Sequence, residues 1–74
     1  MSRPVFYLAD AASVGSTCTL SGAEGHHAAD VRRVRVGERI VLTDGRGTAL
    51  EAEVREVGRG AVTCAVLDVR REPS

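Results

Sequence analysis

Apolar side chains in this chain gather into short runs, and the period within each run changes along the sequence. Val5 to Leu8 forms the first run and stops at the polar stretch Asp10 to Ser16, which predicts a strand followed by a loop. Thr17 to Leu20 predicts a second short strand. The period then lengthens. Ser21 and Glu24 have the spacing of a capping box, in which the serine side chain binds an early helix amide and the glutamate reaches back to the serine amide. His27, Val31 and Val34 recur at helical spacing, with Ala23 and Ala28 at small positions, so a helix over residues 22–35 has one narrow apolar face. Arg32, Arg33 and Arg35 lie mostly off that face, where cations near the carboxyl end suit the macrodipole, and Gly37 supplies a stop.

From Arg39 onward the period is two. Ile40, Val41 and Leu42 run into the turn signal Asp44-Gly45, which predicts a hairpin. Leu50, Ala52 and Val54 alternate with Glu51, Glu53 and Arg55, as on a strand with one wet face. Gly58 to Gly60 makes the next turn. Ala61 to Val69 is apolar on both faces and is expected to be a central strand. Five to six short strands with one helix predict a mainly β fold, a small barrel closed to hide its edges, over residues 1–70. Residues 71–74 turn polar around Pro73, the composition of a linker to a further domain.

At 74 residues there is room for one core only, because chains near this size bury only ~60% of the surface their unfolded form exposes. A hydrophobic fraction of 43% beside 27% charged residues belongs to an ordinary globular domain. No apolar run approaches the ~18 residues that suggest a membrane span, and the start is unlike a signal peptide, so a cytoplasmic location is expected. Cys18 and Cys64 each sit inside an apolar run, as buried reduced thiols do.

Net charge is zero, which excludes a binder relying on bulk positive charge. All ten basic residues are arginine, and Arg32, Arg33, Arg35 and Arg39 fall close together with only Asp30 and Glu38 among them. Arginine suits phosphates and stacked bases better than lysine does, and a GC-rich genome would also favour it. Such a patch can neutralise phosphates with little sequence readout. Phe6 and Tyr7 are the only Phe, Tyr or Trp residues, so recognition of nucleic acid by shape and backbone is favoured over stacked single-strand bases. Arg46 at the hairpin tip could add a contact.

Neighbouring histidines point ~100° apart on a helix. His27, on the apolar face with Val31, reads as a core histidine, and His26 is left outside. No His and Cys pair has zinc-finger spacing, so no metal site is expected. The Asp44 to Gly47 turn joins two strands and lacks the lysine of a phosphate loop. The serines have no nucleophile-elbow context, Glu51 and Glu53 read as solvated, and no cofactor fingerprint is present. The 74 residues alone carry no catalytic site.

One ordered set of signals remains. It comprises Arg3, Val5, Phe6 and Tyr7, then Leu20-Ser21-Gly22, Glu24, His27, Val31, Arg33, Val36-Gly37, and Asp44-Gly45 with Gly47. This order resembles the amino-terminal domain of the small-subunit ribosomal RNA uracil-N3 methyltransferase family (ribosomal RNA small subunit methyltransferase E) over nearly the whole chain. The resemblance implies a PUA-like barrel that helps to bind 16S rRNA of the small ribosomal subunit, with neither membrane nor DNA as partner. It also implies a following knotted SPOUT domain that binds S-adenosylmethionine and methylates N3 of a uridine, in a homodimeric parent.

His27 and Arg33 match the family helix, and Asp44 and Gly45 match its hairpin turn. Arg32 departs from a common leucine, and Arg3 matches an early arginine only approximately because Pro4 intervenes. The RNA-binding candidates are Arg3, His26, Arg32, Arg33, Arg35 and Arg46, with His27, Gly37, Asp44 and Gly45 in structural roles. No cofactor is expected in this stretch. Two other readings remain: a KOW-like ribosome-associated module, which needs no helix, and a protein-interaction or dimerisation barrel with no RNA role.

Overall fold

The structure, a computed structural model, describes residues 3–71. Its strands are β1 (Val5–Tyr7), β2 (Thr17–Leu20), β3 (Arg39–Thr43), β4 (Thr48–Gly58) and β5 (Ala61–Arg71). They form one sheet in the order β1-β3-β4-β5-β2, antiparallel except for the parallel pair β1 and β3. The sheet curls into a half-barrel, the mainly β architecture that the strand pattern predicts. Strand β5 runs through Arg71, and the rest of the expected linker, residues 72–74, lies outside the described residues.

The period-two alternation sets the core. Ile40 and Leu42 of β3, Leu50, Ala52 and Val54 of β4, and Val62 and Cys64 of β5 are buried together with Phe6, Cys18 and Leu20. Cys18 and Cys64 face each other across β2 and β5 as free, buried thiols. The curl comes from two bulges between the long strands. Glu51 and Ala52 face Asp68 and Val66, so Leu67 is an extra residue in β5, and Arg55 is likewise extra in β4. Each bulge bends its strand and increases the twist.

The expectation of a doubly buried, central β5 is corrected by this geometry. The central strand is β4. Strand β2 is only four residues long and covers β5 from Val62 to Ala65 alone, which leaves Leu67 44% exposed and Val69 similarly open.

The helix is also shorter and differently turned than expected. It comprises α1 (Gly22–His26) and a π turn, His27–Val31, and it ends there instead of at residue 35. Arg33 takes a left-handed conformation at φ 55°, and a residue of that kind past the last turn ends a helix. The π turn closes through the Arg32 amide on the His27 carbonyl at 2.8 Å, and the Val34 amide reaches the Ala28 carbonyl at 3.0 Å. Val34 then plugs the core.

The buried face is Gly25 and Ala28, with Ala29 half-buried. His27 is exposed and Val31 is 59% exposed, so both are corrected from the core to the surface. The cause is close approach. A Cβ at Gly25 would collide with the Gly60 carbonyl and lie 2.7 Å from the Leu20 carbonyl. Only the smallest residues fit between this helix and the sheet.

The capping box does not form either. Ser21 is the N-cap but makes no side-chain cap bond, and Glu24 turns away to accept the Tyr7 amide through Oε1 at 2.7 Å. The helix therefore leaves one edge strand, β2, and its glutamate fastens the other, β1. It bridges the side of the half-barrel that the strands leave open. No helix among the described residues is long and apolar enough to cross a membrane.

Candidate nucleic-acid interface

The parallel pairing of β1 with β3 places Arg3 at the same end of the sheet as Arg39, where the chain enters β3 from the helix. Glu51 on β4 holds both arginines. Its Oε2 lies 2.7 Å from Arg3 Nη1, and its Oε1 lies 3.3 Å from Arg39 Nη1. The alternation of β4 puts Glu51 on the outward face as expected. It is not simply solvated, because the two guanidinium groups leave its side chain only 23% exposed.

At this end of the fold a cavity of about 250 Å³ is lined by Arg3, Pro4, Val5, Phe6, His27 and Arg32. Phe6 is buried at 2% exposure and meets the His27 ring edge to face, with centroids 5.6 Å apart and planes at 67°. Phe6 fills the space a core imidazole would need, so His27 stands above it at the cavity wall. Arg32 pairs with no carboxylate among the described residues. The cavity thus joins one guanidinium oriented by Glu51, a second with no such anchor, and a braced aromatic ring.

The other sequence candidates do not line it. His26 turns its Nδ1 to Asp30 Oδ2 at 2.9 Å, one turn along the helix. Arg33 marks the helix end, and the Arg35 amide binds Glu38 Oε1 at 3.1 Å. Gly37 adopts φ 92° and donates its amide to the Val54 carbonyl at 2.7 Å, which steers the chain into β3.

Arg46 stands at the β3–β4 hairpin tip. That tip follows Thr43, the partner of Tyr7, so it lies at the opposite end of β1 from Arg3. The tip is built by Asp44, whose Oδ1 accepts the amides of Arg46 at 2.7 Å and Thr48 at 3.2 Å. The Arg46 amide above all, and then that of Thr48, hold the Asp44 carboxyl below the usual carboxylate range. Gly45 and Gly47 supply the positive φ angles of the turn.

Sequence reasoning missed Phe6 and His27 as parts of this cavity and Glu51 as the partner of Arg3 beside it. The parallel pairing that assembles them joins segments more than thirty residues apart, and no local pattern announces it.

A curled five-stranded sheet with one inserted helix, bearing two arginines and an aromatic ring in one recess, defines a PUA-type domain. Residues 20–67 match the model of the RNA methyltransferase PUA domain family. The chain belongs to that family. It is 41% identical over 67 residues to the ribosomal RNA small subunit methyltransferase E proteins of Mycobacterium bovis and Mycobacterium tuberculosis, covering 90% of this chain and 26% of each of those proteins. The chain thus spans about a quarter of the length of these relatives.

Among solved structures, the ribosomal RNA small subunit methyltransferase E of Neisseria gonorrhoeae, bound to S-adenosyl methionine, superposes with a TM-score of 0.78 at 32% identity, over 92% of this chain and 28% of that one. A putative methyltransferase of Legionella pneumophila in complex with the same cofactor has the same fold, with a TM-score of 0.85 at 22% identity, over 96% of this chain and 29% of that one. The inserted helix also sets the domain apart from a KOW-like module.

Proposed function

We propose that this domain grips 16S rRNA of the small ribosomal subunit and orients it for N3-methylation of a uridine by a longer parent protein. The parent would act in the cytoplasm, as a homodimer, and would use S-adenosylmethionine bound outside these residues. The observation that carries the reading is the meeting of Arg3 and Arg32 at one recess on a domain of zero net charge. Two guanidinium groups from distant parts of the chain, converging while one is braced by a carboxylate, suit adjacent phosphates of a folded polyanion. Arg33, Arg35 and Arg46 are the outlying phosphate contacts, and His26 flanks the helix side. Membership of an RNA methyltransferase domain family and the names of the relatives support the same reading.

The test is the salt dependence of binding to a 16S rRNA fragment. Each lost phosphate contact lowers the slope of log affinity against log salt by about 1. Replacing Arg3 and Arg32 together with alanine is expected to lower it by about 2 and to weaken binding at low salt, while the melting transition is retained. An unchanged slope in a folded double variant would remove the recess from RNA binding.

A further inference from the structure

We propose that the recess between β1 and the π turn is a seat for a single unpaired RNA nucleotide, with its base against the His27 ring and its phosphate between Arg3 and Arg32. This rests on the RNA-binding reading above and goes beyond it, because backbone recognition alone needs no aromatic wall. Three features carry the inference.

The first is the ring itself. His27 is exposed, and its ring meets that of buried Phe6 with centroids 5.6 Å apart and planes at 67°. An exposed ring that lines a recess and is braced by a buried neighbour can serve as a stacking platform, and histidine is among the side chains on which splayed-out RNA bases stack.

The second is the charge. Arg3 reaches the recess from the start of β1 and Arg32 from the helix exit, so two cations line the same recess as the ring. Arg3 meets Glu51 Oε2 through Nη1 at 2.7 Å, and a guanidinium carries five N–H donors, enough to bind a phosphate oxygen as well.

The third is size. About 250 Å³ lies below the range of pockets for drug-sized ligands, which suits one base and not a length of strand. Pro4 and Val5 add an apolar part to a lining that is otherwise mostly polar. A base inside a continuous A-form helix has both faces covered by its neighbours, so only a bulged, looped or extruded nucleotide can use the seat.

The experiment compares two RNA hairpins of identical stem, one fully paired and one carrying a single bulged adenosine, by fluorescence anisotropy with this chain. The expected result is about tenfold tighter binding of the bulged hairpin, within the range measured for one base on one aromatic residue. His27→Ala is expected to abolish that difference and His27→Phe to keep it. In NMR spectra the carbon-bound ring protons of His27 should shift when the bulged hairpin is added and stay in place with the paired one. Equal affinity of the wild-type chain for both hairpins, or a preference that survives His27→Ala, overturns the nucleotide seat while leaving backbone binding intact. Failure to bind either hairpin at low salt overturns the RNA-binding reading, and the seat with it.

Discussion

Asp44 commits its carboxylate to the backbone of its own turn, and this ties the hairpin to pH. The amides of Arg46 and Thr48 stabilise the ionised form, so its folded pKa lies below that of an unfolded aspartate, which is about 3.9. A depressed folded pKa gives stability that is fully present above the unfolded value and is lost as pH falls through the folded one. Melting temperatures of the wild type and of Asp44→Asn should therefore differ most at neutral pH and converge as the solution is acidified below about pH 4. Curves that stay parallel down to the acid limit would show that the carboxylate's charge is not what the turn uses. This turn was legible from Asp44, Gly45 and Gly47 because its chemistry is local. The helix end was not, because Arg33 adopts the left-handed conformation where a glycine is the usual signal, and the nearest downstream glycine, Gly37, serves a different bend.

Helix and strands differ in how much of them the sequence discloses. Alternation identifies β3 and β4 because one face meets the core and the other meets water, whereas β5 shows only as a run apolar on both faces. The helix begins where its spacing predicts, and its facing departs from the prediction at His27 and Val31. Ala28 and Val34 of the expected apolar face are buried, but contact with the sheet is so close that Gly25 also goes inward while the bulkier His27 and Val31 go outward. Its glutamate joins β1 across seventeen positions, a bond no capping motif foretells. Glu24→Ala is expected to loosen the short edge strand, costing about 1.5–3 kcal/mol, as loss of a hydrogen bond to a charged acceptor does. Amide exchange at Tyr7 should quicken more than exchange within β4. Equal protection of Tyr7 in the variant would assign the hold on β1 to its pairing with β3 alone.

A chain of 74 residues holds one core of small and medium side chains, and a domain of this size has a margin of only ~3–5 kcal/mol. Leu50 is fully buried at the centre of the sheet, and truncation of such a leucine costs about 2–5 kcal/mol. Leu50→Ala should leave no cooperative thermal transition at physiological temperature, and a circular dichroism melt checks this directly. Retention of the wild-type midpoint would mean that the half-barrel collapses to fill the gap. Zero net charge likewise conceals a division that only the folded form reveals. Arg3, Arg39, Arg55 and Arg70 are each within reach of an acidic partner, whereas Arg32, Arg33, Arg35 and Arg46 have none among the described residues. Arg55 and Arg70 pair with the acid two positions back on their own strand, whereas the sharing of Glu51 by Arg3 and Arg39 depends on which strands lie side by side.

The missing side chain at Gly25 has one last effect. With main chain resting directly on main chain beside Gly60 and Leu20, no rotamer intervenes that could adjust the spacing of helix and sheet. The imidazole two positions later is registered to the rest of the body as a fixed die is to its press. A guest entering beside it would find its mould already set, so little disorder need be removed on arrival.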